Sequence, residues 1–269
     1  MILFVKKIIY YIKAKINIYT FILKVYFLFL QKFSLSILFT NMNLPPLYKK
    51  TFLLVLITLF FCCKPDELTR NELVYNNDFE SGNLDAIDGA QLITFNNTTV
   101  LGNYNNDGFT LSLNDIGAHD LIYITFDLYI HDSWDGNFNG FDPDQADAWF
   151  IELVSDFDTD PSNPSDLWET SFSNSVCNPV YCLRQSYPED FPFENLPRKG
   201  SSRLLPGLCS LESDENGTSL YTIEKGFEHT GNALLINFYD KLYQPNVADE
   251  RCDESWSLDN LKVRVITFE

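Results

Sequence analysis

In residues 121–130 apolar side chains fall at every second position. Ile122, Ile124, Phe126, Leu128 and Ile130 share one face, and Tyr123, Thr125, Asp127 and Tyr129 share the other. That period of two is the signature of a strand with one buried face. Residues 233–239 repeat it with Leu234, Ile236 and Phe238 inward, and Leu261, Val263 and Val265 do the same near the C-terminus. Shorter strand candidates lie at 91–95, 109–113, 148–154 and 219–224. No segment after Cys63 sustains a 3.6-residue period. Stretches rich in Asn, Asp, Gly, Pro and Ser at 131–147, 155–166 and 188–218 separate the runs. The pattern predicts an all-β fold, an antiparallel jelly-roll β-sandwich with long loops at its ends. One domain over residues 74–269 suits this length, with residues 64–73 as a polar tether before it.

The first 63 residues follow a different rule. Lys49-Lys50 precede an apolar run over 51–61, which ends at Cys62-Cys63. Positive pair, short apolar run and cysteine form the layout of a lipoprotein signal, so residues 42–63 are read as a signal peptide or anchor helix starting at Met42. The peptidase that cleaves such signals needs a small residue before the modified cysteine. Cys63 follows Cys62, whereas Cys62 follows the bulky Phe61, so Cys63 is the expected lipidation site and Cys62 the alternative. Residues 1–41 are then upstream sequence translated from a start placed too early, or an extra hydrophobic helix, since 16–38 would span a ~30 Å bilayer core. Either reading places the remainder outside a bacterial membrane, held in the cell envelope by a lipid anchor.

Charge divides the chain at the same point. Eight of the 19 Lys+Arg and none of the 37 Asp+Glu lie in residues 1–63, leaving 11 − 37 = −26 after Cys63. Phosphate recognition needs a basic face, so nucleic acid is excluded as a partner. The excess suits solubility, divalent cations and neutral ligands. In an oxidising compartment Cys177, Cys182, Cys209 and Cys252 form an even set and imply two disulfides. Cys177–Cys182 is the local choice among three pairings and leaves Cys209 with Cys252. No CxxC spacing supports zinc instead.

Two groups of oxygen donors are candidates for calcium, a hard ion taking about six to eight oxygen ligands. Terminal strands often lie side by side in a jelly roll. That would bring Asn76-Asn77-Asp78-Phe79-Glu80 toward Asp253-Glu254-Ser255-Trp256-Ser257-Leu258-Asp259, with Glu80 and Asp259 as the ligands. The turn after the best strand offers Asp132, Asp135 and Asn137, with further oxygens on Asp142, Asp144 and Asp147. Capping carboxylates in ordinary turns are the competing reading of both.

Trp134, Trp168 and Tyr187 fall in loops, where rings can stack on sugar faces while acids and amides bond the hydroxyls. The alternative is that they complete the core and its rim, as expected for Trp256. His119, His131 and His229 are scattered and belong to no HExxH or triad. His119 before a strand and His229 in a turn read as structural hydrogen-bonding groups, and enzymatic activity finds no positive sign.

The phrases NNDFESG, ITFDLYIHDSWDG, TSFSN, QSYP, FEHTGNALLINFY and DESWSLDNLKV together resemble a secreted β-sandwich domain of bacterial surface lipoproteins. The opening and closing motifs are similar to carbohydrate-binding modules and to MAM or concanavalin A-like jelly rolls. The resemblance covers residues 74–266 and implies a structural calcium on Glu80 and Asp259. It implies a non-catalytic domain binding a glycan or a surface protein. The alternative is a divergent jelly-roll glycoside hydrolase or polysaccharide lyase. Related enzymes carry a Glu-x-Asp-x-x-Glu strand, which this chain lacks.

Overall fold

In the computed structural model, residues 67–137, 146–154, 166–244 and 247–269 are described. The signal segment with Cys62 and Cys63, the extension 1–41, Asp142 and Asp144 lie outside them. Twelve strands follow: β1 (Leu68–Asn77), β2 (Ile87–Asp88), β3 (Leu92–Phe95), β4 (Thr98–Tyr104), β5 (Gly108–Leu113) and β6 (Leu121–Asp132), then β7 (Ala148–Val154), β8 (Asp166–Ser171), β9 (Arg203–Leu205), β10 (Thr218–Glu228), β11 (Leu234–Lys241) and β12 (Glu254–Phe268). A single turn of helix, α1 (Glu250–Asp253), precedes β12. Among the described residues no helix is long and apolar enough to cross a membrane.

The strands form two antiparallel sheets, β3-β4-β12-β6-β10-β9 with β1 added on β12, and β2-β5-β11-β7-β8. From β4 to β7 the chain alternates between the sheets, so the fold is the expected jelly-roll sandwich. The predicted inward faces meet between them: Ile122, Ile124, Phe126, Leu128, Ile130, Leu234, Ile236, Phe238, Leu261, Val263 and Val265 are all buried in one core. Trp149 and Trp256 meet edge to face at 5.5 Å in that core.

Two readings change. Residues 68–73 are not a tether: they belong to β1, which pairs with β12 from Leu68↔Phe268 to Asn77↔Leu261. Their weak alternation hid the strand, because β1 pairs at the margin of the sheet and most of its residues stay exposed. Tyr129, on the predicted solvent face of β6, is buried with Phe95, Val100 and Leu205 beneath the segment that carries Leu208.

Cys177 pairs with Cys182 and Cys209 with Cys252, the local bridge and the one it leaves. The second ties the 206–214 segment to α1. Asp132 helps: its carboxylate accepts the backbone N–H groups of Cys209 (3.2 Å) and Leu211 (2.8 Å).

Candidate functional site

On the outer face of the five-stranded sheet, register builds two neighbouring rows of side chains. One runs Asp88–Thr110–Asn237–Glu152 across β2, β5, β11 and β7. The next runs Gly108–Tyr239–Phe150–Glu169 across β5, β11, β7 and β8. In the first, the Thr110 hydroxyl donates to Asn237 Oδ1 (2.8 Å) and Asn237 Nδ2 donates to Glu152 Oε2 (3.1 Å). In the second, the Tyr239 and Phe150 rings stack at 4.7 Å and 12°.

A surface cavity of about 400 Å³ lies over these rows, lined by Asp88, Thr110, Glu152, Asn237, Tyr239 and Gly108, among others. Glycine is required at 108, where a Cβ would stand 2.0 Å from the Phe238 carbonyl oxygen. Burial raises the Tyr239 hydroxyl pKa, and the charges of Glu152 and Glu169 add to it. One aromatic ring beside amide, hydroxyl and carboxylate groups can pack on an apolar surface and bond the polar groups around it. Sequence reasoning sought rings in loops and missed this pair. The signal was there, since Asn237 and Tyr239 occupy the outward positions of the 233–239 alternation.

Beneath the cavity edge, Asp240 is buried. Its carboxylate accepts Trp256 Nε1–H (2.7 Å) and the Asn106 N–H (2.7 Å). Burial pushes its pKa up to about 6.

Glu80 and Asp259 do come together. Along one side of β12, Trp256–Leu258 pair with β4 and Leu261–Phe268 pair with β1. Asp259 stands at the irregularity between those partners, with Asn260 at φ 55°. Glu80 Oε1 accepts the Thr98 hydroxyl and the Thr99 N–H (3.1 Å), and Asp259 Oδ2 lies 3.5 Å from that same hydroxyl. The Thr98 hydrogen bond lowers the Glu80 pKa most, followed by the Thr99 N–H. Burial pushes Asp259 up to about 6, with Asp127, Glu80 and Asp78 adding repulsion.

In the other predicted calcium loop, two of the oxygen donors have partners within the protein. Asp132 is committed to the Cys209 and Leu211 amides. Asn137 Oδ1 accepts the Ser186 (2.8 Å) and Ser171 hydroxyls while its Nδ2 donates to the Phe193 carbonyl (2.6 Å). The Asp135 backbone N–H donates to Asp147 Oδ2 at 2.7 Å. Among the described residues no group of three or more His, Cys, Asp or Glu is placed to hold a metal ion.

Trp134 and Trp168 are not exposed sugar platforms. Trp134 is 0% and Trp168 3% exposed, both within the core. Trp134 Nε1–H donates to the Ser255 carbonyl (2.9 Å) and Trp168 Nε1–H to Asp190 (2.7 Å), so each polar edge is satisfied inside the fold. Tyr187 packs partly buried against the core, 5.1 Å from Phe172. Trp256 is core, as expected. The histidines are structural: His119 Nε2 meets His229 Nδ1 at 2.7 Å, and His131 sits between the Thr218 (3.0 Å) and Ser257 (2.9 Å) hydroxyls.

No protein-family model matches the chain, and no curated protein matches it. Solved structures similar to it include the K3 cleaved adhesin domain of Lys-gingipain from Porphyromonas gingivalis w83. That match has 11% identity, a TM-score of 0.34, and coverage of 71% of this chain and 99% of that one. A non-crystalline cellulose specific carbohydrate-binding module, CBM28, matches at 15% identity and TM-score 0.32, over 74% and 94% of the two chains. A family GH115 4-O-methyl-α-glucuronidase with specificity for decorated arabinogalactans matches at 10% and 0.30, over 74% of this chain but 18% of that one. With TM-scores below 0.5, none of these transfers a function.

Proposed function

We propose that this chain is an extracytoplasmic, non-catalytic binding protein whose ligand is a glycan, anchored in the cell envelope through lipid on Cys63. The observation that carries the reading is the cavity over Asp88, Thr110, Asn237, Glu152 and Tyr239. Its walls offer a ring together with donors and acceptors, the combination that sugar faces and hydroxyls take up. Two disulfides suit an exported domain. The Lys49-Lys50, 51–61, Cys63 layout supports the anchor.

Calcium is the ion that Glu80 and Asp259 would hold. Their carboxylates already gather about the Thr98 hydroxyl, an all-oxygen set that suits a hard cation. Bound there, it would tie the turn after β1 to β12 and neutralise the repulsion on Asp259.

The test is a glycan array probed with residues 66–269, a unit with its own core, followed by titration of the best hit. Tyr239→Ala should weaken that binding by about tenfold, the loss of one ring contact, while leaving the melting temperature nearly unchanged. Silence across the array, with and without calcium, would overturn the glycan reading in favour of a protein ligand.

A further inference from the structure

Sheet edges invite pairing with another chain, so folded proteins keep them short or cover them. Most margins of this sandwich follow that rule. β2, β3 and β9 are two, four and three residues long. The edge of β8 is covered, since the Tyr187 and Phe191 N–H groups donate to the Ser171 (3.1 Å) and Glu169 (2.9 Å) carbonyls. β1 is different. It runs ten residues, and among the described residues it pairs with β12 alone, so no strand lies along its other edge. Apolar side chains are exposed there as well: Leu68 is 53% and Leu73 42% exposed, and Phe268, paired with Leu68, is 39% exposed.

The charges on β1 are arranged for one partner. Arg70 and Glu72 stand two residues apart on one face, where Arg70 Nη2 meets Glu72 Oε2 at 2.6 Å. Arg70 also donates to the Ala118 and Ile116 carbonyls (both 2.9 Å), which fixes its position. In the run Leu68-Thr-Arg-Asn-Glu-Leu-Val74, antiparallel pairing with a second copy centred on Asn71 sets Arg70 of each copy opposite Glu72 of the other. The same register sets Leu68 opposite Val74 and Thr69 opposite Leu73. Opposite charges facing each other across strands stabilise a pair, and like charges oppose it. A slip of one residue leaves both charges unmatched. A slip of two sets Arg70 against Arg70 or Glu72 against Glu72. The irregularities in β1 fall between Leu68 and Arg70 and between Leu73 and Tyr75, so Arg70–Leu73 is the regular stretch around that centre.

We propose that the outer edge of β1 is a homodimer interface, in which β1 of two copies pairs antiparallel about Asn71 and joins their larger sheets into one. Backbone hydrogen bonds along the edge give the attraction, and the two Arg70–Glu72 pairs select the register. Charges that would turn most strands away thereby admit this chain's own copy. The acidic excess of each copy opposes the approach, but salt screens that long-range repulsion more than it screens charges in contact.

The experiment is analytical ultracentrifugation of residues 66–269 in roughly 0.15 M salt. The average mass of wild type should rise toward twice the monomer with concentration, with a Kd on the order of tens of micromolar, as suits a small interface. Arg70→Glu and Glu72→Arg, each of which sets like charges face to face, should each weaken association by at least about tenfold. An equimolar mixture of those two variants should regain it as a heterodimer, because every facing pair is then opposite in charge. Melting temperatures of both variants check that they fold. If Arg70→Glu does not, the register is tested by cysteine instead. Asn71→Cys, on the axis, should give a disulfide-linked dimer on oxidation, and Leu73→Cys, off the axis, should not. Wild type that stays monomeric up to about 200 μM would overturn the proposal. So would a dimer that neither charge variant weakens, which would put the contact elsewhere on the molecule.

Discussion

His131 shows how one residue can be exact in placement and unrelated to ligand. Its ring is fully buried, with both nitrogens occupied by hydroxyls, and burial alone pushes its pKa down to about 3. Between pH 6.5 and 3 the unfolded chain therefore binds a proton that the folded one refuses. The contribution of His131 is complete above about 6.5 and is lost as pH falls toward 3, on the order of a few kcal/mol in all. Asp240 acts in the opposite sense. Its raised pKa makes its contribution complete below 3.8, and that contribution is lost as pH rises through about 6. Urea midpoints measured from pH 7 to 4 should fall more steeply for wild type than for His131→Asn, and parallel curves would refute this account. At this scale the sequence was half legible. It identified His119 and His229 as structural and made no such reading of His131, and it offered Trp134 and Trp168 to a ligand. A tryptophan outside the alternating runs does not reveal whether it turns inward; Trp134 follows β6 and Trp168 lies on β8, and both are buried.

At the scale of elements, alternation was the reliable guide wherever a strand has one wet face. β6, β11 and the second half of β12 were read with their inward residues correct. β1 was not, because an element whose residues are mostly exposed carries little apolar period. Its pairing makes a direct prediction. A chain beginning at Glu67 should melt like one beginning at Cys63, whereas one beginning at Val74 loses the pairs from Leu68 to Leu73. That shorter chain should melt roughly 5–10 °C lower, about 2–3 kcal/mol for a domain of this size. Equal melting temperatures would restore the tether reading. The Cys209–Cys252 bridge belongs to this scale as well, since the segment it holds covers the second apolar cluster around Tyr129.

For the whole molecule, the position of β12 decides most of what can be functional. It is flanked by β6 on one side and by β4 and β1 on the other, so it brings the turn after β1 against Asp259 and the β6–β7 connection against Glu254. If Glu80 and Asp259 hold calcium, EDTA should lower the melting temperature of wild type more than that of Glu80→Gln, and calcium should restore the difference. Equal responses would remove the ion from this end of the fold. The sequence by itself determined fold class, sheet-facing residues, disulfide count and the meeting of Glu80 with Asp259, because period, cysteine number and terminal-strand adjacency are local or topological properties. Only the tertiary structure decided that Asp132 holds the Cys209 and Leu211 amides and that Asn137 holds the Ser186 hydroxyl and the Phe193 carbonyl. Only it aligned Thr110, Asn237 and Glu152 into one row beside Tyr239. Such groupings join residues as far apart as Thr110 and Asn237, 127 positions, through strand register, and register is set by how the two sheets pack rather than by any one strand's own pattern.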